Sequence, residues 1–173
     1  MLCGIFINNQ IALGLKDGTI YVCSTDGHSI ATMKEHQAGI CTLAVIRNKA
    51  SDKCYLASGA DVGCSRVIFW DPTTWQPKYI FNSHQAAVTG IVDLQDDTHV
   101  LSAGYDKKMV IYNLDEGRIA YSAIQTEFPL TSITTNKTAS KLIASCLDKA
   151  IYIFEIQRNF KLKIGSMSLL YVI

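Results

Sequence analysis

The chain has 173 residues and a mass of 19.1 kDa; 49% of its residues are hydrophobic and 18% are charged. This composition predicts a folded domain with a substantial core and argues against disorder. The formal net charge of +1 excludes the large basic excess that general binding to nucleic acid or anionic membranes requires. No apolar run approaches the roughly 18 residues of a membrane-spanning helix, and the first residues lack the basic start of a secretory signal.

The six cysteines show no Cys-x-x-Cys pair and no zinc-like spacing with histidine. Unpatterned cysteines inside apolar runs behave as small hydrophobic residues, and their number is typical of a reducing compartment. We therefore expect an intracellular protein, cytoplasmic or nuclear, without a metal or other cofactor. These cysteines are Cys3, Cys23, Cys41, Cys54, Cys64 and Cys146.

The dominant hydrophobic period is two, which predicts β-strands. Short runs rich in Ile, Val, Tyr, Phe and Thr recur along the whole chain, and no long window has helical spacing. The first two sets of four are Leu2–Ile7, Gln10–Leu15, Thr19–Cys23 and His28–Met33, then Gly39–Ile46, Cys54–Ser58, Arg66–Trp70 and Lys78–Phe81. The last two are Ala87–Val92, His99–Ala103, Met109–Asn113 and Arg118–Ser122, then Leu130–Thr135, Lys141–Cys146, Ala150–Glu155 and Phe160–Ile164.

The four sets are repeats of one another. Asp106 and Tyr112 in the third set correspond to Asp148 and Phe154 in the fourth, at an offset of 42 residues, and Trp70 precedes Tyr112 by the same offset. A period of about 40–45 residues with four strands per unit is the signature of propeller blades. The repeats are predicted at about 2–33, 34–81, 82–123 and 124–164, with 165–173 starting a further blade.

On these residues the chain resembles the WD-repeat β-propeller family. The resemblance covers residues 2–164 and is carried by Trp70-Asp71, by the run Lys16-Asp17-Gly18-Thr19-Ile20, and by Ser102 through Asp106 to Tyr112-Asn113. It implies an all-β fold of about four four-stranded blades, as an open arc or as part of a larger ring of seven. Seven blades need roughly 280–315 residues, so we expect the missing blades from the rest of a longer chain, a second copy or another subunit.

The resemblance also implies a structural tetrad in each blade: a His before the innermost strand, a Ser or Thr on the second strand, an Asp in the next turn, and a Trp on the third strand. In this chain Tyr112 replaces the Trp of the third repeat, Cys64 stands where the second repeat should have Asp, and the first and fourth repeats have no His at the tetrad position. The candidate tetrad residues are His36, Ser58, Trp70, His84, Ser102, Asp106, Tyr112, Asp17 and Asp148.

A Ser, a His and an Asp in one repeat also suit a hydrolase, with Ser102 as nucleophile, His84 as base and Asp106 as the orienting carboxylate. However, no G-x-S-x-G elbow and no Gly-rich oxyanion segment accompany Ser102. Hydrogen bonding among buried groups accounts for the same residues. We expect no catalysis, and a propeller hydrolase is the alternative from the enzyme class.

Family topology places the turns between second and third strands, and the loops before the innermost strands, on one rim of the disc. Aromatic, Arg and aliphatic side chains there suit a protein interface. The competing interpretation is that Phe128 and Leu130 belong to the core and that the lysines only keep the turns soluble. Tyr105 is the best single candidate, because it is large and has no evident core role. The candidate rim residues are Lys16, Asp61, Arg66, Tyr105, Lys107, Phe128, Leu130, Leu147 and Lys149.

The leading hypothesis is a non-catalytic scaffold or adaptor that binds protein partners in a larger complex. The family resemblance also allows the substrate-recognition part of a ubiquitin ligase. A third hypothesis is a phosphoinositide or nucleic-acid binder that uses Lys16, Lys107 and Lys149, and it predicts an affinity that falls steeply with salt.

Overall fold

A computed structural model describes residues 3–48, 53–156 and 162–168. All of the regular secondary structure in these ranges is β-strand. The described residues contain no helix that is long and apolar enough to cross a membrane. In chain order the strands are β1 (Cys3–Ile7), β2 (Gln10–Gly14), β3 (Ile20–Ser24), β4 (Ser29–Met33), β5 (Ile40–Asn48), β6 (Lys53–Ala60), β7 (Val67–Trp70), β8 (Pro77–Phe81), β9 (Val88–Asp93), β10 (His99–Gly104), β11 (Lys108–Asn113), β12 (Arg118–Gln125), β13 (Leu130–Thr135), β14 (Lys141–Cys146), β15 (Ile151–Ile156) and β16 (Leu162–Ser168).

The strands form four separate sheets, each an antiparallel meander of four consecutive strands: β1–β4, β5–β8, β9–β12 and β13–β16. Short connections between neighbouring strands favour antiparallel pairing. The prediction of an all-β chain with four strands per repeat is therefore confirmed.

The sheets pack face to face, because successive residues of a strand point to opposite faces of its sheet. In the second sheet, Leu56, Ile68 and Trp70 pack against the first sheet, whereas Ala57 and Phe69 pack against the third. A further cluster joins the third and fourth sheets. Fully burying one large apolar side chain contributes about 1.5–3 kcal/mol. Among the described residues the core therefore consists of three layers, each between two successive sheets.

The sheets are arranged like consecutive blades around an axis. The first strand of each sheet contacts the first strand of the next, in the order β1, β5, β9, β13. Within the described residues the sheets do not close into a ring. On the outward face of the first sheet, Phe6 is 69% exposed, and it pairs across the strands with Ile11. On the outward face of the fourth, Ile143 is exposed and lies opposite Ile153.

The end of the fourth sheet differs from the expectation. Residues 165–168 do not start a further blade, because β16 continues its pairing with β15 through Ser168, which lies opposite Ile151. The ladder extends past position 164, where the fourth repeat was expected to end. Residues 169–173, the remainder of the expected fifth blade, lie outside the described residues.

Candidate functional site: the polar networks and the rim above them

In the second sheet, three of the candidate tetrad residues form a buried network. Ser58 Oγ lies 2.7 Å from Nε2 of His36 and accepts a hydrogen bond of 2.8 Å from Nε1–H of Trp70. The fourth member is Cys64, whose Sγ lies 3.5 Å from Nδ1 of His36. The thiol therefore takes the position of the expected aspartate. Asp61, the nearest carboxylate in the sequence, instead accepts the N–H of Val62.

In the third sheet the network has a carboxylate, and this fixes the direction of its hydrogen bonds. Asp106 accepts from Nδ1–H of His84 at 3.0 Å, so Nε2 of His84 must accept, and Ser102 donates to it at 2.6 Å. Tyr112 Oη–H then donates to Ser102 Oγ at 2.8 Å. Ser83 completes the chain by donating to Tyr112 Oη at 2.6 Å.

Burial sets the protonation of these groups. Burial lowers the pKa of His36 to about 4, and the positive charge of Arg66 acts in the same direction. Burial also lowers the pKa of His84, but Asp106 opposes this shift through its hydrogen bond and its charge. Burial raises the pKa of Tyr112 to about 12. Both histidines are therefore neutral near pH 7, and the networks carry fixed hydrogen bonds rather than exchangeable protons.

The first and fourth sheets keep only the aspartate of the pattern. Asp17 accepts the N–H of Thr19 at 3.0 Å, and hydrogen bonds to Thr19 lower its pKa. Asp148 accepts the N–H of Ala150 at 3.0 Å and the hydroxyl of Tyr152 at 2.6 Å. Each carboxylate therefore closes its own turn and meets no histidine.

The hydrogen bonds from Ser102 to His84 and from His84 to Asp106 match the order of a catalytic triad. Ser102 is fully buried, however, and its oxygen already accepts the Tyr112 hydroxyl. A substrate carbonyl cannot reach a nucleophile in this position. The hydrogen bonds among Ser102, His84 and Asp106 therefore serve to stabilise the third sheet. Among the described residues, no group of three or more His, Cys, Asp or Glu side chains is placed to hold a metal ion.

The turns above these networks share one geometry. Lys107 N–H donates to Gly104 O at 3.3 Å, and Lys149 N–H donates to Cys146 O at 3.2 Å. Both lysines have φ of +65°, the left-handed region that glycine prefers. In the first sheet the same position is Gly18, with φ of +86°.

Each turn is also tied to the loop before the innermost strand of its own sheet. Tyr105 N–H donates to Ala87 O at 2.9 Å, and Leu147 N–H donates to Pro129 O at 3.0 Å. In the second sheet the N–H of Asp61 makes the same bond to the preceding loop. These shared bonds place the turns and loops on one rim.

Most of the candidate rim residues are accessible. Tyr105 is 42% exposed, Phe128 37% and Leu147 52%. The side chain of Arg66 is half-buried and donates from Nε–H to Asn82 at 3.1 Å. The charged residues exposed on this rim are Lys16, Asp61, Lys107 and Lys149.

The structure places Leu130 in the core and not on the rim. It is fully buried, because it begins β13 opposite Cys146 and packs between the third and fourth sheets with Leu101 and Met109. It cannot contact a partner directly. The interpretation of Leu130 as a rim contact was therefore wrong, whereas its neighbour Phe128 is exposed in the loop before β13.

Comparison with known proteins agrees with this architecture. Residues 75–113 match the family model described as "WD domain, G-beta repeat", and this stretch takes in β8 of the second sheet and β9–β11 of the third. A chain in the solved structure "Crystal Structure of Mitotic Checkpoint Complex" is similar in fold, with a TM-score of 0.84 at 19% sequence identity. The match covers 98% of the present chain and 52% of the other, so this chain spans about half the length of that one. No curated protein matches it in sequence.

The fold and its polar networks define a protein built of β-propeller blades. Residues 75–113 match the WD domain, and the likeness in fold extends over 98% of the chain, so the fold is that of WD-type propeller blades. Propellers of this family serve in general as scaffolds for protein interaction and are generally not catalytic.

Proposed function

We propose that this chain is a non-catalytic adaptor that binds a protein partner through the rim formed by its turns and innermost loops. The observation that carries the proposal is the exposure of Tyr105 and Phe128. The third sheet is covered on both faces by its neighbours, so the exposure of Tyr105 does not come from a missing blade. Large aromatic side chains held on a rigid scaffold are typical interface anchors.

The network beneath the rim supports this role. Asp106 accepts the N–H groups of Gln85 and Lys108 as well as that of His84. The turn that carries Tyr105 is therefore held from below before any partner arrives. Fixing an anchor in advance lowers the entropy lost on binding.

Photo-crosslinking tests the proposal. A photoreactive phenylalanine derivative is placed at position 105 in the protein expressed in cells, and the control carries it at Ile80, which is exposed on β8. We expect a discrete crosslinked protein from position 105 that is absent from position 80 and reduced by Phe128→Ser. Equal crosslinking from both positions, or none from position 105, contradicts the proposal.

We also propose that further blades cover the outward faces of the first and fourth sheets. The exposed Phe6 and Ile143 on these faces support this, because unpaired apolar sheet faces favour association. The blades come from the rest of a longer chain, a second copy or another subunit. Mass measurement in solution tests the idea: a well-behaved monomer of 19.1 kDa contradicts all three.

The location we propose is a reducing compartment, cytoplasmic or nuclear. The support is that all six cysteines are free thiols, as expected of proteins that do not rely on disulfides. Alkylation of the freshly extracted protein, followed by mass analysis, should show six modified cysteines.

A further inference from the structure

We propose that a cavity at the strand ends opposite the rim binds a phosphomonoester of a sugar. The cavity has a volume of about 770 Å³, within the roughly 300–1,000 Å³ that small-molecule sites occupy. It lies between the first and second sheets, and none of the candidate rim residues lines it. We call it the hairpin cavity, and the residues that determine its chemistry are Asn8, Asn9, Arg47, Lys53 and Cys54.

The cavity exists because the second sheet has a longer inner hairpin than the first. Gly14 and Gly59 occupy equivalent levels, since each has the start of the next sheet's first strand packed on it. In the first sheet, β2 begins at Gln10, four residues before Gly14. In the second sheet, β6 begins at Lys53, six residues before Gly59. The hairpin of β5 and β6 therefore projects past the turn at Asn8–Asn9, and the step between the two hairpins forms the cavity.

The lining of the hairpin cavity carries two cations and no carboxylate. The cations are Arg47 and Lys53, and within the described residues neither forms an ion pair. The charge of Arg47 acts inside the cavity, because it opposes the rise that burial causes in the pKa of the Cys54 thiol. The lining therefore favours an anionic ligand.

The carboxylates of the neighbourhood lie outside this cavity. Asp71 lines an adjoining cleft of about 320 Å³, where the positive charge of Lys78 balances it. Asp93 accepts the backbone N–H of Arg47 at 3.1 Å, but Asp93 and Asp115 belong to the third sheet, on the other side of the second sheet from the cavity. These groups keep their negative charges. An anion in the cavity is nevertheless closest to the two cations of the lining.

Phosphate fits the donors of the lining. The Arg47 guanidinium presents parallel N–H groups to two oxygens of one phosphate, and Lys53 adds a second charge-assisted donor. The side-chain amides of Asn8 and Asn9 are exposed on the turn, and no hydrogen bond within the described residues engages them. Each can donate to a further oxygen. Two positive charges also match the charge of about −2 that a phosphomonoester carries near neutral pH.

The adjoining cleft provides room for the rest of the ligand. It is continuous with the hairpin cavity, because Asn8, Lys53 and Cys54 line both. Asp71 in this cleft repels phosphate but accepts hydrogen bonds from hydroxyl groups. A molecule with its phosphate at Arg47 and its hydroxyl groups near Asp71 uses both spaces. Sugar phosphates, including nucleotides, have this arrangement.

Two cations in a cavity suit one phosphate group rather than a polyanion. Nucleic acids are bound by many clustered cations, whereas the net charge of this chain is only +1. The headgroup of a phosphoinositide presents the same phosphate chemistry as a free sugar phosphate, and the experiment separates these two sources.

Alkylation of Cys54 by N-ethylmaleimide tests the proposal, because this half-buried thiol lines the hairpin cavity. The full-length protein is labelled in the presence of inorganic phosphate, ribose phosphate or AMP, and mass analysis of its peptides gives the labelling rate at each cysteine. Ribose and adenosine are the uncharged counterparts, and sodium chloride at equal ionic strength controls for screening. Cys64, a half-buried thiol on the rim side, is the internal control.

Matched variants identify the groups that bind the phosphate. Arg47→Gln with Lys53→Gln removes both cations of the cavity, and the control is Lys34→Gln with Lys141→Gln, at exposed positions elsewhere. Asn8→Asp keeps the size of the side chain and its preference for a turn but adds a negative charge. Calorimetry measures the affinity of each variant for ribose phosphate and AMP, and thermal unfolding verifies that each is folded.

We expect ribose phosphate and AMP to slow the labelling of Cys54 severalfold without changing that of Cys64. Ribose, adenosine and sodium chloride should have no effect, and inorganic phosphate should protect less than ribose phosphate. The double variant of the cavity should weaken the affinity about tenfold or more. Asn8→Asp should act in the same direction, and the control pair should leave the affinity unchanged.

The proposal is overturned if no phosphate protects Cys54, if adenosine protects it as well as AMP does, or if the double variant binds as tightly as the parent protein. Equal protection by inorganic phosphate and ribose phosphate overturns the assignment of a sugar. Binding to vesicles that contain phosphatidylinositol phosphate, dependent on Arg47 and Lys53 and without protection by the free phosphates, overturns the sugar phosphate in favour of a lipid headgroup.

Discussion

The thiol of Cys64 lies 3.5 Å from Nδ1 of His36, the position that a carboxylate occupies beside His84 in the next sheet. The two networks are otherwise alike, since each histidine meets a serine through Nε2 at 2.6–2.7 Å. A thiol is a weak hydrogen-bonding group. The second sheet therefore lacks the charge-assisted bond that holds the third.

Cys64→Asp should stabilise the protein. The aspartate would accept Nδ1–H of His36, and a hydrogen bond to a charged group is worth roughly 1.5–3 kcal/mol, partly offset by burying the carboxylate. We expect a net gain of about 1 kcal/mol in the free energy of unfolding, with the pKa of His36 raised. Chemical unfolding and NMR titration of the histidine measure the two effects.

The reverse change, Asp106→Cys, is the control and should destabilise the protein. It leaves His84 without its carboxylate and frees the N–H of Gln85. If Cys64→Asp and Asp106→Cys both lower the free energy of unfolding, positions 64 and 106 are not equivalent. The comparison between the two networks is then wrong.

Stability should fall as the pH drops from about 6.5 to about 4. Burial lowers the pKa of His36 to about 4 from its ordinary 6.5, so in this window the unfolded chain binds more protons than the folded one. Stability then rises with pH across the window and levels off above it. His84, whose pKa burial also lowers, contributes in the same direction.

Unfolding by urea at several pH values measures this slope. His36→Gln should reduce the slope without abolishing it, because His84 remains. The matched control is His28→Gln, at an exposed position, which should leave the slope unchanged. A slope that is identical in His36→Gln and the parent protein is inconsistent with a neutral, buried His36.

Leu130 and Phe128 should respond in opposite ways to truncation. Leu130→Ala empties a fully buried site between two sheets and should cost about 2–5 kcal/mol. Phe128→Ala, at a position 37% exposed, should change stability by less than about 1 kcal/mol while weakening partner binding. Chemical unfolding and the crosslinking yield separate the effects. A large loss of stability from Phe128→Ala would assign that residue to the core.

The period of two and the offset of 42 residues between Asp106 and Asp148 predict the sheets, because alternating burial is a local property of the sequence. The burial of Leu130 does not follow from alternation, because a bulge between Leu130 and Ser132 shifts the register of β13 and the next buried residue is Ile133. The contact of Cys64 with His36 joins residues 28 positions apart and depends on the path of the connection from β6 to β7. Sequence spacing does not determine that path.

Ser83 joins the network of the third sheet, although it is outside the four positions of the tetrad pattern. It directly precedes His84, in the same repeat in which Tyr112 replaces Trp. The Ser83 and Tyr112 hydroxyls lie 2.6 Å apart, so the hydroxyl that tyrosine adds at this position has a partner of its own. This contact joins residues 29 positions apart, and sequence spacing does not determine it.

Lys107→Gly should stabilise the protein by about 0.5–1 kcal/mol, because glycine adopts φ of +65° without the steric cost that lysine incurs. Lys108→Gly is the matched control one residue later; it places glycine in the regular strand β11 and should destabilise the protein by about the same amount. Chemical unfolding of both variants and the parent measures the difference.

Lys149→Gly should have the same effect on stability, because Lys149 has the same φ and closes the same turn in the fourth sheet. A loss of stability in both Lys107→Gly and Lys149→Gly contradicts a steric cost of lysine at these two positions.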